Sequence, residues 1–341
     1  MSEFNPNKNF SKKSISEINT LFNGILDGNR FELGKAITLI ESELEEHRKL
    51  KNELINLCFS KKKSGLRIGI SGAPGVGKST LIESLGTFII SKNISPAVLT
   101  IDPSSHISGG SILGDKTRMQ KLSTSQQAFV RTSPAGNALG GVGKYTMETI
   151  LLVETAGFDP IIIETVGVGQ SEIEVSSMSD IFILVLQPGS GDELQGIKRG
   201  IMEMADIILI NKNDTENLIT AKNTFNQYNS SVKLLKPKVS DWERKVMLVS
   251  AIENTGISEL WEEINNLNDI IHNSGEFDSK RELQNINWFE KYFLYTLNKF
   301  IHSNPQHIQE LESLKKGILL KEISPVDASD ILFEKLLKNL K

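Results

Sequence analysis

Between residues 67 and 250 the chain alternates short apolar runs with polar segments that read as helices or loops. The runs at 67–71, 97–101, 128–131, 161–164, 181–187, 206–211 and 246–250 are rich in Ile, Val and Leu and lack polar alternation. That is the pattern of strands buried on both faces of a parallel sheet. Crossovers between such strands are right-handed, and ligands bind beyond their C-terminal ends. From Phe31 to about Ser60 the period turns helical, with Leu33, Ala36, Ile37, Ile40 and Leu44 on one face and Glu41, Glu45 and Glu46 on another. Residues 1 to about 30 are polar and rich in Asn, Lys and Ser, and read as a loose lead-in with a capping-box pattern at Ser14-x-x-Glu17. Segment 215–244 reads as an inserted helix and a polar excursion, and from Asn254 onward the pattern is helical. Trp261, Trp288, Phe289, Tyr292, Phe293, Leu297, Phe300 and Ile301 form a dense aromatic and apolar stripe there. Ser324-Pro325 predicts a capped terminal helix, with Ser at the N-cap and Pro at the first helical position. The expected division is an N-terminal helical extension (1–63), an α/β domain (64–272) and a C-terminal helical arm (273–341).

Composition narrows the class without changing this architecture. The 341 residues suffice for one large core with appendages, or for two domains. A net charge of −4 supplies no basic field, so neither nucleic acid nor an anionic membrane surface is an expected partner. No apolar run approaches the ~18 residues of a membrane span, and the N-terminus lacks an apolar signal core. The single cysteine, Cys58, excludes a disulfide framework and lies among apolar neighbours, which points to packing. A cytoplasmic protein is expected.

The chemistry centres on GAPGVGKST: Gly72, Ala73, Pro74, Gly75, Val76, Gly77, Lys78, Ser79 and Thr80. This is G-x-x-x-x-G-K-[ST] between an apolar strand candidate and a helical one. Its glycines let backbone N–H groups turn around phosphate oxygens, and the following helix adds a positive dipole end. Lys78 is placed to reach the β/γ-phosphates, and the Ser79 hydroxyl suits Mg²⁺. After the second strand, Asp102 sits at the phosphate edge, where it could hold Mg²⁺ through water or orient an attacking water. Asp115, in the Gly-rich stretch 108–119, is a second candidate for those roles, and an N-cap or turn carboxylate is the plain alternative for both. The fourth strand ends in Glu164-Thr165-Val166-Gly167, the layout of an Mg²⁺-shell acid followed by a γ-phosphate-sensing glycine N–H. Val168 stands where small GTPases carry a water-orienting Gln, and Gln170 comes two residues later, so slow intrinsic hydrolysis is expected. The loop after the fifth strand, 187–198, ends in Lys198, either a phosphate-seeking lysine or a solvated helix-start lysine. The sixth strand ends in Asn211-Lys212-Asn213-Asp214. In this N-K-x-D pattern one carboxylate, Asp214, accepts both N1–H and the N2 amine of guanine, and adenine offers neither. The Lys212 stem can lie along the base, and Ser250-Ala251 can offer a backbone N–H to guanine O6.

Together GAPGVGKST, LTIDPSS, SGGSILGDKTRM, LGGV, ETVGVGQSE, QPGSGDELQGIKRGI and NKND resemble the MeaB/ArgK/MMAA GTPases of the SIMIBI class. The resemblance spans about residues 30–340. It implies a mostly parallel P-loop NTPase sheet flanked by helices, with an N-terminal helical segment and a C-terminal helical dimerisation arm. It further implies a homodimeric GTPase that uses GTP/GDP and Mg²⁺. Such a protein serves as chaperone of an adenosylcobalamin-dependent acyl-CoA mutase, usually methylmalonyl-CoA mutase. By motif position Asp102, Asp115, Glu164 and Lys198 match the family's Mg²⁺ and catalytic-switch residues, and 187–198 its third switch. The expected alternatives are a metallocentre-insertion GTPase and an ATPase or kinase of amino-acid transport. The first needs Cys pairs or His runs that one Cys and five scattered His do not supply, and NKND argues against ATP.

Overall fold

Seven strands form one sheet in the computed structural model, which describes residues 15–61, 63–102, 119–134, 145–165, 171–190, 197–214 and 216–338. They are β1 (Arg67–Ser71), β2 (Ala97–Asp102), β3 (Phe129–Pro134), β4 (Ile161–Thr165), β5 (Ile181–Leu186), β6 (Ile207–Ile210) and β7 (Lys245–Leu248). Their order is β3-β2-β4-β1-β5-β6-β7, and every pairing is parallel. Each falls on one of the apolar runs above. The reason is burial: β1, β4, β5 and β6 are covered along their whole length on both faces, so no polar alternation survives in them. The order reverses about β1, with β2, β3 and β4 on one side and β5 to β7 on the other. The C-terminal end of β1 therefore opens on a crevice, the usual ligand position in such sheets.

Thirteen α-helices among the described residues flank the sheet. The helix Lys78–Ser91 buries Leu81, Ile82, Leu85 and Ile89 against the core, which also holds Ile68, Ile162, Ile183 and Leu209 of the sheet. The helix Thr146–Thr155 is buried at all ten positions, glutamates included. It lies between β4 and the N-terminal helices, which explains why its sequence carries no exposed face.

Those N-terminal helices differ from the expectation in two ways. Residues 15–26 are no loose lead-in: Ile15–Leu26 is a helix whose Ile18, Leu21, Phe22 and Ile25 are buried. Their i, i+3, i+4, i+7 spacing was hidden by the polar composition around it. The single helical stretch from Phe31 to Ser60 is two helices, Arg30–Glu41 and Arg48–Phe59, joined through a 3₁₀ turn at Glu45–His47. Asn29 caps the first, accepting from Phe31 N–H (3.0 Å) and Glu32 N–H (3.3 Å). Leu44, assigned to the apolar face, lies in the break and is 47% exposed. The segment is tied to the sheet domain through the Arg131–Glu41 ion pair, Tyr145 Oη donating to Glu43 (3.0 Å) and Lys63 Nζ donating to Thr155 O (3.2 Å).

The chain forms two compact units, one ending at Gln284 and the other comprising Asn285–Lys341. The N-terminal helices belong with the sheet in the first, and the boundary falls inside the helix Glu276–Ser303, beyond the 272/273 division expected above. In the second unit the helices Pro305–Leu319 and Pro325–Lys338 pack on each other, and His307 is buried beside Phe300, ring centroids 5.2 Å apart. The terminal helix starts as predicted: Ser324 Oγ accepts from Asp327 N–H (3.0 Å), with Pro325 at the first position.

Candidate functional site

The loop that leaves β1 is built around backbone that only glycine tolerates. Gly72 has φ +154°, and a Cβ there would fall 2.2 Å from Val185 O of β5. Gly77, at φ +91°, caps the helix that begins at Lys78, and a Cβ would fall 2.5 Å from Asn211 Nδ2. The loop thus places a helix N-terminus, whose first N–H groups have no partner within their own helix, at the crevice beyond β1. Lys78 is buried, its Nζ donating to Gly72 O (2.7 Å) and Ala73 O (3.3 Å), so the ammonium stays beside the loop and clear of bulk water.

Across the crevice, β4 pairs with β1 in the register Ile70↔Glu164, which carries Glu164 to the start of that helix. Ser79 Oγ donates to Glu164 Oε1 at 3.0 Å although the two lie 85 residues apart. Glu164 is 2% exposed, and next to it Ser71 Oγ and Thr165 Oγ1 meet at 3.1 Å. A buried carboxylate and a hydroxyl side by side, both hard oxygen donors at a helix N-terminus, fit Mg²⁺. β2 runs alongside, and its last residue Asp102 follows Ile101, the partner of Thr165.

The segment after β6 closes the other end. Asn211 is buried; its Nδ2 donates to Val76 O (2.8 Å) and its Oδ1 accepts from Ala251 N–H (3.2 Å). One amide therefore ties the phosphate loop to the turn after β7. Lys212 takes left-handed backbone (φ +60°), and its Nζ donates to Gln187 Oε1 (3.3 Å). Asp214 is half-buried and accepts from Asn217 Nδ2 (2.7 Å). The Ser250 and Ala251 N–H groups, expected to face guanine O6, are used within the fold, by Thr255 O (3.0 Å) and Asn211 Oδ1 respectively. Ser84 Oγ holds Ala251 O at 2.6 Å. The turn is thus tied to Asn211 through its N–H and to Ser84 through its carbonyl.

With this geometry in place, a family model described as "Methylmalonyl Co-A mutase-associated GTPase MeaB" matches residues 33–306. The chain belongs to the MeaB family of GTPases. Its relatives include the probable GTPase Rv1496 of Mycobacterium tuberculosis, 39% identical over 93% of this chain and 94% of that one. The mitochondrial methylmalonic aciduria type A homolog of Mus musculus is 38% identical over 95% of this chain and 80% of that one. GTPase ArgK of Escherichia coli is 42% identical over 77% and 80%. A solved structure titled LAO/AO transport system kinase superposes with a TM-score of 0.74 at 30% identity, covering 96% of this chain and all of that one. The MeaB-family fold and its P-loop are thus those expected, and guanine-nucleotide binding belongs to the family.

The structure brings together the phosphate loop, Glu164, Asn211, Lys212, Asp214, Ser250 and Ala251 of the expected site. Asp115, Gly167, Val168 and Gln170 lie outside the described residues. Of Asp102 and Lys198 only the backbone is described, in β2 and in the helix Ile197–Met204. Sequence reading missed a second polar cluster of this MeaB-family chain, at the N-terminal edge of the sheet. There Arg67, Glu154, Asp180, Arg281 and Gln284 are joined by ion pairs and hydrogen bonds. Each is a single polar residue beside an apolar run or on a helix, so no local spacing announces it. No helix among the described residues is long and apolar enough to cross a membrane.

Proposed function

We propose that this chain is a GTP-hydrolysing chaperone. On this reading it binds GTP and GDP with Mg²⁺ and works as a homodimer in the cytoplasm. It gates adenosylcobalamin loading into a B12-dependent acyl-CoA mutase, with methylmalonyl-CoA mutase as the client, and protects or reactivates that enzyme. The single observation behind the nucleotide part is the Asn211 amide, bonded to Val76 O and Ala251 N–H. It ties the phosphate loop to the segment that carries Asp214, which supports Asp214 as the residue that reads guanine. The mutase part rests on the family's description and the mouse relative's name.

Lys78 supplies positive charge at the β/γ-phosphates, and Asp214 accepts the paired N1–H and N2 donors of guanine. Ser79 and Glu164 would hold Mg²⁺, with Asp102 and Asp115 sharing its water shell or orienting the attacking water. The ion supplies charge neutralisation and alignment of phosphate oxygens. The Gly167 N–H senses the γ-phosphate, and Lys198 on the 187–198 loop couples nucleotide state to the client. Residues 273–341 serve as the dimerisation arm. Val168 after Gly167 keeps hydrolysis slow until the partner contributes, a gain of about 10³–10⁵ where such groups are supplied in trans.

The test is GTP hydrolysis with and without purified methylmalonyl-CoA mutase. The expected result is marked stimulation that Lys198→Ala abolishes. A fast rate for the isolated chain, or no response to any cobalamin-dependent mutase, would overturn the chaperone reading. The solved structure's title names a transport kinase. An ATP-using kinase requires that excess ATP displace bound GDP, and the Asp214 carboxylate predicts that it will not.

A further inference from the structure

The helix Ser171–Met178 follows the Glu164–Gly167 segment in the chain and is held along its body and at its end. Its body lies on β1, where Gly69 decides the fit. A Cβ on Gly69 would fall 2.5 Å from Ser179 Oγ and 2.8 Å from Val175 Cγ1, so helix and strand touch with no slack. Its end is gripped by the first turns of the helix Glu276–Ser303. Gln284 Nε2 donates to Ser179 O (3.1 Å), Lys280 Nζ donates to Asp180 O (2.6 Å), and Arg281 forks onto the Asp180 carboxylate (2.8 and 2.6 Å). Arg281 also donates to Glu154 Oε1 (2.8 Å) and Gly65 O (2.5 Å). Arg67, the first residue of β1, donates to both Glu154 oxygens at 2.8 Å and to Gln284 Oε1 at 2.8 Å.

Glu154 and Asp180 are 3% and 1% exposed. Burying two carboxylates and two guanidiniums has a desolvation cost that apolar packing would avoid, so an anchor alone is a poor account of the cluster. What the cluster adds is direction: each fork fits one relative placement of Asp180 and the Glu276–Ser303 helix. Arg281 and Gln284 hold Asp180 and Ser179, the two residues that follow this eight-residue helix, and Asp180 is bonded in turn to Arg67 of β1, its N–H donating to Arg67 O and its carboxylate accepting from Arg67 N–H, both at 2.8 Å. The helix bearing those two residues continues past Gln284 into the Asn285–Lys341 unit.

We infer that Arg281 and Gln284 are coupling residues that link the nucleotide-sensing segment after Glu164 to the C-terminal helical unit, through the helix Ser171–Met178. The inference rests on the reading of Glu164–Gly167 as a nucleotide switch. Spin labels at Lys92→Cys and Glu290→Cys, in a Cys58→Ala background diluted into unlabelled protein, report the distance with GDP and with a non-hydrolysable GTP analogue. The expected result is a nucleotide-dependent shift that Gln284→Leu and Arg281→Lys abolish. GDP affinity should change by no more than about threefold, since the substitutions are remote from the crevice. Arg281→Lys keeps the charge and loses the fork, while Gln284→Leu leaves every ion pair in place and guards against a folding failure in the first variant. A shift that persists in both variants, or nucleotide binding with no shift in the unsubstituted protein, would overturn the coupling and leave the switch reading standing. Failure to bind either guanine nucleotide would instead overturn that reading, and the coupling with it.

Discussion

Asn211 shows how much of the site depends on one neutral side chain. It holds a loop carbonyl and a turn N–H at once, tying Val76 to Ala251. Ser79 and Glu164 are joined in the same direct way across the crevice. Cys58 is the opposite kind of residue, buried and outside the crevice. Burial pushes its thiol from an ordinary value of 9.0 up to about 11, the Thr155 hydroxyl offsetting part of the rise. The sign follows from linkage: a raised pKa means the folded state favours the protonated thiol. That contribution is complete below about pH 9 and is lost as pH climbs toward 11. The expected outcome is that Cys58→Ala flattens the alkaline loss of stability between those limits, read by urea melts across the range. A disulfide thiol reagent should leave native Cys58 unmodified and react only on unfolding.

At the level of elements, the helix Ile15–Leu26 is the test of whether the N-terminal segment is an appendage. Ile18 and Ile25 are fully buried, and the segment packs against a helix, Thr146–Thr155, that has no solvent face of its own. Ile18→Ala should therefore cost about 2–5 kcal/mol, the range for emptying a closed core site. Equilibrium urea denaturation checks this, and a loss below about 0.5 kcal/mol, typical of surface substitutions, would show the segment to be dispensable to the fold. The break at Ser42–His47 belongs to the same logic. Ser42 Oγ and His47 Nδ1 lie 2.7 Å apart, a local polar contact that competes with continued helix, so one apolar stripe divides into two helices.

For the whole molecule, the aromatic stripe sets the expectation. Phe289, Phe293 and Leu294 are 67%, 51% and 64% exposed in the single chain, and the two phenyl rings stack on one helix face with centroids 6.2 Å apart. Exposed apolar surface of this kind marks an interaction face, and a stable dimer needs roughly 1,200–2,000 Å² of it in total. Sedimentation should show a dimer that Phe289→Glu with Phe293→Glu converts to monomer, with GDP affinity unaltered. A monomeric unsubstituted protein would remove the stripe as a self-association surface.

Strand positions were legible because a strand covered on both faces writes its burial into four to six consecutive residues, as IFILVL in β5 does. The phosphate loop and the Ser324 cap were legible for a related reason: each lies in a turn at a helix start whose residues are adjacent in the chain. The helix Ile15–Leu26 was equally local, and only a polar setting concealed it. Other features had no local signature. The order of strands about β1, the meeting of Ser79 with Glu164, and the fork of Arg281 on Asp180 join residues far apart in the chain. Charges buried at such places are tolerated only where another element brings the matching partner, and which element does so depends on how the layers stack. Local patterning thus settled which segments fold; packing settled which of them meet.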